Sequence, residues 1–246
     1  MEDMIVICRT TYGRLLRNRS LYFLLLAVLV LVAAGSLYAD LTGGRQKELM
    51  YDAGGALLLL AGLLTALVAP LDIARDLREK TVMTLLSKPL GRSQYLLGKF
   101  LGVVWLGTLN LLILTIGILV ILHTSTDAWR ADFIQVALTT WATMVMATAL
   151  GVLFASFLPE IPAALLTIVV YVIGQSTEKL ASAKPALAQL LFSVLPNFSL
   201  LDLKTELGNG LSIPWALVIM AMGYAVIYSA VLLSLATILF HRRDLA

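Results

Sequence analysis

The ionisable side chains of this sequence are few, and they are badly placed for catalysis. Asp72, Lys99 and Glu160 stand at the edges of apolar runs, and nothing ionisable falls within 21–38, 100–122, 133–158, 161–176 or 214–240. A proton-coupled carrier or an intramembrane protease buries a carboxylate or a histidine at depth, where proton or substrate must reach it. No Gly-x-Ser-x-Gly nucleophile motif occurs. Cys8 is the single cysteine, and with His123 and His241 far away it offers no metal-ligand spacing and no intrachain disulfide. Gly91 to Phe100 imitates a phosphate loop, but Gly91 and Gly98 enclose six residues rather than four, and Phe100 stands where Ser or Thr must reach magnesium. The reading is therefore no catalytic residue, no metal site and no cofactor held by this chain.

Two kinds of residue remain. Asn110, Gln135, Thr139 and Thr143 are polar groups within apolar runs, candidates to line a substrate path; the competing role is hydrogen bonding to a neighbouring helix. Gly98 and Gly102 form a Gly-x-x-x-Gly pair, which lets a second helix approach closely.

The segment from Asp72 to Arg92 carries the clearest pattern. Val82, Leu85 and Leu86 recur at i, i+3 and i+4, Arg78, Glu79 and Lys80 crowd the start, and Lys88, Pro89 and Gly91 end it. A short helix over 78–90 with an apolar ridge and charged shoulders is a docking element. Asp72, Asp76 and Glu79 would be repelled by anionic headgroups, which favours a protein groove over a lipid surface.

These features must be carried by elements that fit the composition. Of 246 residues, 60% are hydrophobic and 13% charged, and mean hydropathy is +0.92. A soluble domain has about 45–50% apolar and about 25% charged residues, so a soluble fold of this size is excluded, as are a disordered chain and a disulfide scaffold. Six segments near the ~20 residues needed to cross a bilayer lie at 21–38, 54–74, 95–122, 133–158, 161–176 and 214–240. They lack the strict alternation of barrel strands, so the fold class is all-α, a polytopic membrane protein forming one transmembrane domain over 1–246. Pro159 and Pro162 make a tight hairpin between spans four and five. The first span, too long for a signal-peptide core, reads as a retained anchor.

Net charge is +3, and its placement matters more than its sign. Twelve of the eighteen Lys and Arg residues fall before span one, between spans two and three, or after span six. The positive-inside rule puts both termini and the 75–94 loop in the cytoplasm, with the chain in the cell (inner) membrane. Residues 4–19 read as an amphipathic interfacial helix with Met4, Cys8, Tyr12, Leu15 and Leu16 on its apolar face. The outer loop 177–213 carries a ten-residue apolar run between Pro185 and Pro196, a re-entrant or interfacial helix.

The stretch from Arg78 to Gly102 resembles the coupling-helix signature of type-2 ATP-binding-cassette exporter permeases. Glu79, Thr81 or Thr84, Leu85, Leu86, Pro89, Arg92, Gly98 and Lys99 match it; Lys80 or Met83 stands where many members have glycine. Leu195-Pro-Asn-Phe-Ser-Leu-Leu-Asp-Leu is similar to the outer segment of the branch grouped with permeases for multicopper-enzyme maturation. The resemblance implies a permease subunit, not an enzyme. It would pair with a second permease copy, identical or not, and dock through Arg78, Glu79, Val82, Leu85, Leu86, Lys88, Pro89 and Arg92 onto a separate ATP-binding subunit that holds ATP and magnesium. No nucleic acid enters this picture. The alternatives are a membrane scaffold or assembly factor that moves nothing, and a small ion-coupled carrier with a Na⁺ site of carbonyls and hydroxyls.

Overall fold

A computed structural model describes residues 2–17, 19–38, 46–79, 91–126, 132–175, 195–204 and 212–242. Among these the architecture is helical: α1 (Glu2–Leu16), α2 (Arg19–Tyr38), α3 (Gln46–Ala66), α4 (Val68–Arg78), α5 (Arg92–Thr126), α6 (Asp132–Ala155), α7 (Glu160–Gln175) and α8 (Trp215–Arg242), with a 3₁₀ turn at Ser199–Leu201. Among the described residues four stretches are long and apolar enough to cross a membrane, Met50–Arg78, Arg92–Thr124, Asp132–Ala155 and Trp215–Arg242, and Glu160–Gln175 is a shorter apolar helix.

Helix α6 is the centre of the bundle, packing against α3, α4, α5, α7 and α8. Its sequence explains this position. Thr139, Thr140, Ala142, Thr143, Ala147, Thr148, Ala149 and Gly151 are all buried, and small side chains let neighbouring backbones come close where lipid supplies no hydrophobic drive between helices. A Cβ on Gly151 would lie 2.7 Å from Pro70 Cδ, so α4 rests directly on the α6 backbone there. The hydroxyls of Thr143 and Thr148 donate to Thr139 O and Met144 O within the helix, at 2.9 and 2.7 Å.

The second apolar segment is not one unbroken helix. A turn at Leu67 separates α3 from α4, because Pro70 has no N–H to give to the carbonyl one turn earlier and its ring crowds that carbonyl. Beyond the turn, α4 continues to Arg78, past the expected end at residue 74. Arg75, Asp76 and Arg78 are therefore helical residues rather than loop residues.

Helix α1 lies lengthwise on α5. Ile7 meets Gly98, Thr11 meets Gly102, and in α2 Leu29 meets Gly117, so α1 and α2 advance along α5 in its own direction. The buried face of α1 is Ile7, Thr11 and Leu15, while Met4, Cys8, Tyr12 and Leu16 are only half-buried. This corrects the apolar face read from periodicity: the glycine pair on α5 selects which residues of α1 go inward. Helix α5 has 35 residues, about 52 Å at 1.5 Å per residue. The hydrocarbon core is about 30 Å thick, so an end of α5 projects beyond it.

Residues 195–204 close the opposite end. Phe198, fully buried, sits 5.0 Å from the Tyr171 ring and donates its N–H to Gly174 O at 3.1 Å. Asn197 donates its N–H to the Tyr224 hydroxyl at 2.9 Å, joining this segment to α8.

Candidate functional site

Helix α4 places Asp72 and Asp76 one turn apart on a single face, and α5 does the same with Tyr95 and Lys99. Where the two faces meet, charges are buried. Lys99 Nζ lies 2.6 Å from Asp72 Oδ2 and 2.5 Å from Asp76 Oδ2, with the lysine side chain 4% exposed and the two carboxylates 9% and 3%. The Tyr95 hydroxyl donates to Asp76 Oδ2 at 3.0 Å. Arg14 reaches across from α1, its Nη2 touching both oxygens of Asp72 at 2.6 and 2.7 Å and its Nη1 meeting Asp76 Oδ1 at 3.0 Å. Two cations balance two anions, and three helices distant in sequence are joined.

Burial alone would lower the Arg14 pKa, but the hydrogen bond to Asp76 and the charge of Asp72 outweigh it and hold the guanidinium above its ordinary value. Burial pushes the Cys8 thiol up, which suppresses thiolate chemistry on the same helix. Among the described residues no three His, Cys, Asp or Glu side chains stand together as metal ligands would.

The sequence places Asp72 at the cytoplasmic end of the second span and Asp76 and Glu79 in the loop after it, all three read as acids that favour a protein groove. The structure turns Asp72 and Asp76 inward, because α4 continues as helix through Arg78 and carries the two acids onto its α5-facing side. Glu79 alone of the three stays exposed. The local trace of the cluster is the i, i+4 spacing of Asp72/Asp76 and of Tyr95/Lys99, which puts each pair on one helix face without saying that the two faces meet.

Two further contacts flank the segment 80–90, which lies outside the described residues together with Val82, Leu85, Leu86, Lys88 and Pro89. On one side Arg78 Nη1 lies 3.1 Å from Glu160 Oε2, and Arg75 Nη2 lies 3.9 Å from Glu160 Oε1, tying the end of α4 to the start of α7. On the other, Arg92 donates to the carbonyls of His241 at 3.0 Å and Phe240 at 3.4 Å, capping the C-terminus of α8. Terminal carbonyls of a helix carry partial negative charge, and a cation satisfies them. Arg92→Gln is expected to lower stability by about 0.5–1 kcal/mol, a difference that thermal unfolding at low and high salt would register and shrink.

Gly98 and Gly102 face α1. A Cβ at Gly98 would lie 2.8 Å from Ile7 Cβ and 3.1 Å from Met4 O, and one at Gly102 would lie 2.8 Å from Thr11 Cβ and 3.1 Å from Cys8 O. Asn110, Gln135, Thr139 and Thr143 are buried at 5%, 3%, 0% and 3% exposure. The hydroxyls of Thr139 and Thr143 donate to Val136 O and Thr139 O of their own helix. Asn110 Nδ2 and Gln135 Oε1 have no hydrogen-bond partner among the described residues. None of the four lines either of two cavities: one of about 340 Å³ between α4 and α7, and an apolar groove of about 210 Å³ between α5 and α6. In that groove Trp141 Nε1 donates to Thr108 Oγ1 at 2.8 Å.

No curated protein matches the sequence. The model of one family, described as ABC-2 family transporter protein, matches residues 13–245. That span includes Arg14, the Asp72–Asp76–Lys99 cluster, both contacts flanking 80–90, and every apolar helix. A bundle of apolar helices fits a match of that length, and the chain belongs to the ABC-2 transporter family as a membrane permease component of an ABC transporter.

Proposed function

We propose that this permease couples ATP hydrolysis in a separate nucleotide-binding subunit, which holds the ATP and magnesium, to export of a cargo across the cell membrane. In this reading the chain crosses six times with both termini cytoplasmic, α1 lies at headgroup level, and two copies, identical or related, form the transporter. The branch is that of the multicopper-enzyme-maturation permeases. Segment 78–90 is the coupling helix: Val82, Leu85 and Leu86 fill a groove of the ATPase, while Arg78, Glu79, Lys88 and Arg92 meet charges on its rim and Pro89 ends the helix.

The observation that carries this reading is the pair of arginine contacts on either side of 80–90, one an ion pair and one a helix cap. Arg78 is held to α7 through Glu160, and Arg92 to the end of α8. A push on a segment anchored to two different helices is transmitted to both. A segment hanging from flexible ends would dissipate it. Of the candidate path residues, Asn110 and Gln135 retain unpaired polar atoms that could meet cargo when the helices part, whereas the hydroxyls of Thr139 and Thr143 are engaged within their own helix.

The test is co-purification with the cognate ATP-binding subunit. Leu85→Asp places a charge in an apolar groove and is expected to weaken the complex by about thirty-fold, the effect of losing one binding hot spot, while the permease still inserts. A complex that survives unchanged would remove the docking assignment. Cargo-stimulated ATP hydrolysis in the reconstituted complex then separates a transporter from a scaffold.

A further inference from the structure

The coupling reading uses Arg78 and Glu160 at the edge of the cavity between α4 and α7 but not the cavity itself. Its walls are apolar, built from Leu77, Leu158, Pro159 and Ile161, and Arg78 and Glu160 stand at its rim. Arg75 joins them through Glu160. The side chains of Arg75 and Arg78 are 57% and 67% exposed, and the single carboxylate between them leaves one net positive charge.

The surroundings of the cavity are ordered by polarity. On α7, Ile161, Leu165, Val169 and Val172 are all exposed and recur at i, i+4, i+8 and i+11, an apolar stripe running down the helix from the cavity wall. On α4, exposed Leu71 precedes Arg75 by one turn on the same face. Guanidinium groups thus mark the point where two apolar surfaces end, which is the level of lipid headgroups on a membrane protein. Guanidinium is also the side chain best matched to a phosphate, to which it donates two parallel hydrogen bonds.

We propose that the α4–α7 cavity binds an anionic phospholipid, its phosphate on Arg75 and Arg78 and its acyl chain along the Ile161–Val172 stripe. A soluble anion would gain nothing from the stripe, and a neutral lipid nothing from the uncompensated charge. Glu160 competes with the phosphate for both arginines and so limits the affinity. The proposal rests on membrane placement alone and not on ATPase docking.

The experiment is native mass spectrometry of the purified permease with an equimolar mixture of phosphatidylglycerol and phosphatidylcholine of identical chains. The wild type is expected to retain phosphatidylglycerol preferentially. Removing one arginine near a lipid headgroup weakens the attraction about five-fold, so Arg75→Gln and Arg78→Gln together are expected to abolish the preference, a larger loss than Arg9→Gln at an exposed position of α1 gives. Glu160→Gln is expected to strengthen the preference, a gain that a misfolded protein would not give. An unchanged preference in the double variant, or a loss equal to that of Arg9→Gln, would overturn the site. Displacement by water-soluble glycerol phosphate would assign it to a free phosphate instead. If the double variant altered only co-purification of the ATPase subunit, with the lipid ratio unmoved, the cavity would be a protein contact and the lipid assignment would fall.

Discussion

Replacing Lys99 by methionine is expected to cost about 3–5 kcal/mol of stability, the usual consequence of removing one member of a buried ion pair. Lys99 is the only cation that is itself buried beside both Asp72 and Asp76 in the cluster, and it touches each within 2.6 Å. Without it the two carboxylates face each other with Arg14, whose side chain is 48% exposed, as their remaining cation. The Tyr95 hydroxyl still donates to Asp76 but carries no charge. The cost comes from leaving negative charge uncompensated away from water, more than from the lost attraction itself. A second substitution checks this account. Asp76→Asn in the Lys99→Met background restores charge balance between Asp72 and Arg14, and is expected to recover much of the loss although it removes a further ionic contact. Unfolding of the single and double variants in detergent gives the coupling energy. Simple addition of the two losses would show that the cluster is not an electrostatic unit.

Valine at both Gly98 and Gly102 is expected to detach α1 from α5. A Cβ position is fixed by the backbone and cannot rotate away. At each glycine it would stand 2.8 Å from a β-branched carbon of α1 and 3.1 Å from a main-chain oxygen, so the helix has to retreat. Overpacking of this kind costs about 1–3 kcal/mol per site, and here the retreat also withdraws Arg14 from Asp72 and Asp76. Cys8, half-buried on α1 and the only cysteine in the chain, reports the outcome directly. Its labelling by a water-soluble maleimide is expected to rise roughly tenfold or more, as local opening becomes easier by more than about 1.4 kcal/mol. An unchanged labelling rate would mean that α1 does not depend on the glycine pair.

The two predictions are linked through α1. The helix is held laterally by the glycine contacts and at its end by Arg14, and the second contact places it in register with α4. Any rearrangement of α4 relative to α5 must therefore either carry α1 along or break the Arg14 bridges. On the proposed coupling reading, the charge cluster serves to position the segment between α4 and α5.

Some of this protein was determined by its sequence alone. The apolar segments, the helical class and the hairpin at Pro159–Pro162 follow from sums and periodicities over neighbouring residues, because a bilayer sets the length of each crossing and excludes charge from its interior. The charge-rich segment between α4 and α5 was legible for the same local reason. Tertiary structure alone decided which helix the Gly98–Gly102 pair would receive, that Asp72 and Asp76 turn inward, and that Asn110 and Gln135 are enclosed by the bundle. Each of these depends on which two helix faces meet. Arg14 and Asp72 are 58 residues apart, and Arg92 and His241 are 149 apart. No local pattern encodes such a pairing, because hydropathy says that a face is buried without saying against what. The contact emerges only when packing brings complementary shapes and charges together in a medium that leaves no unpaired charge without cost.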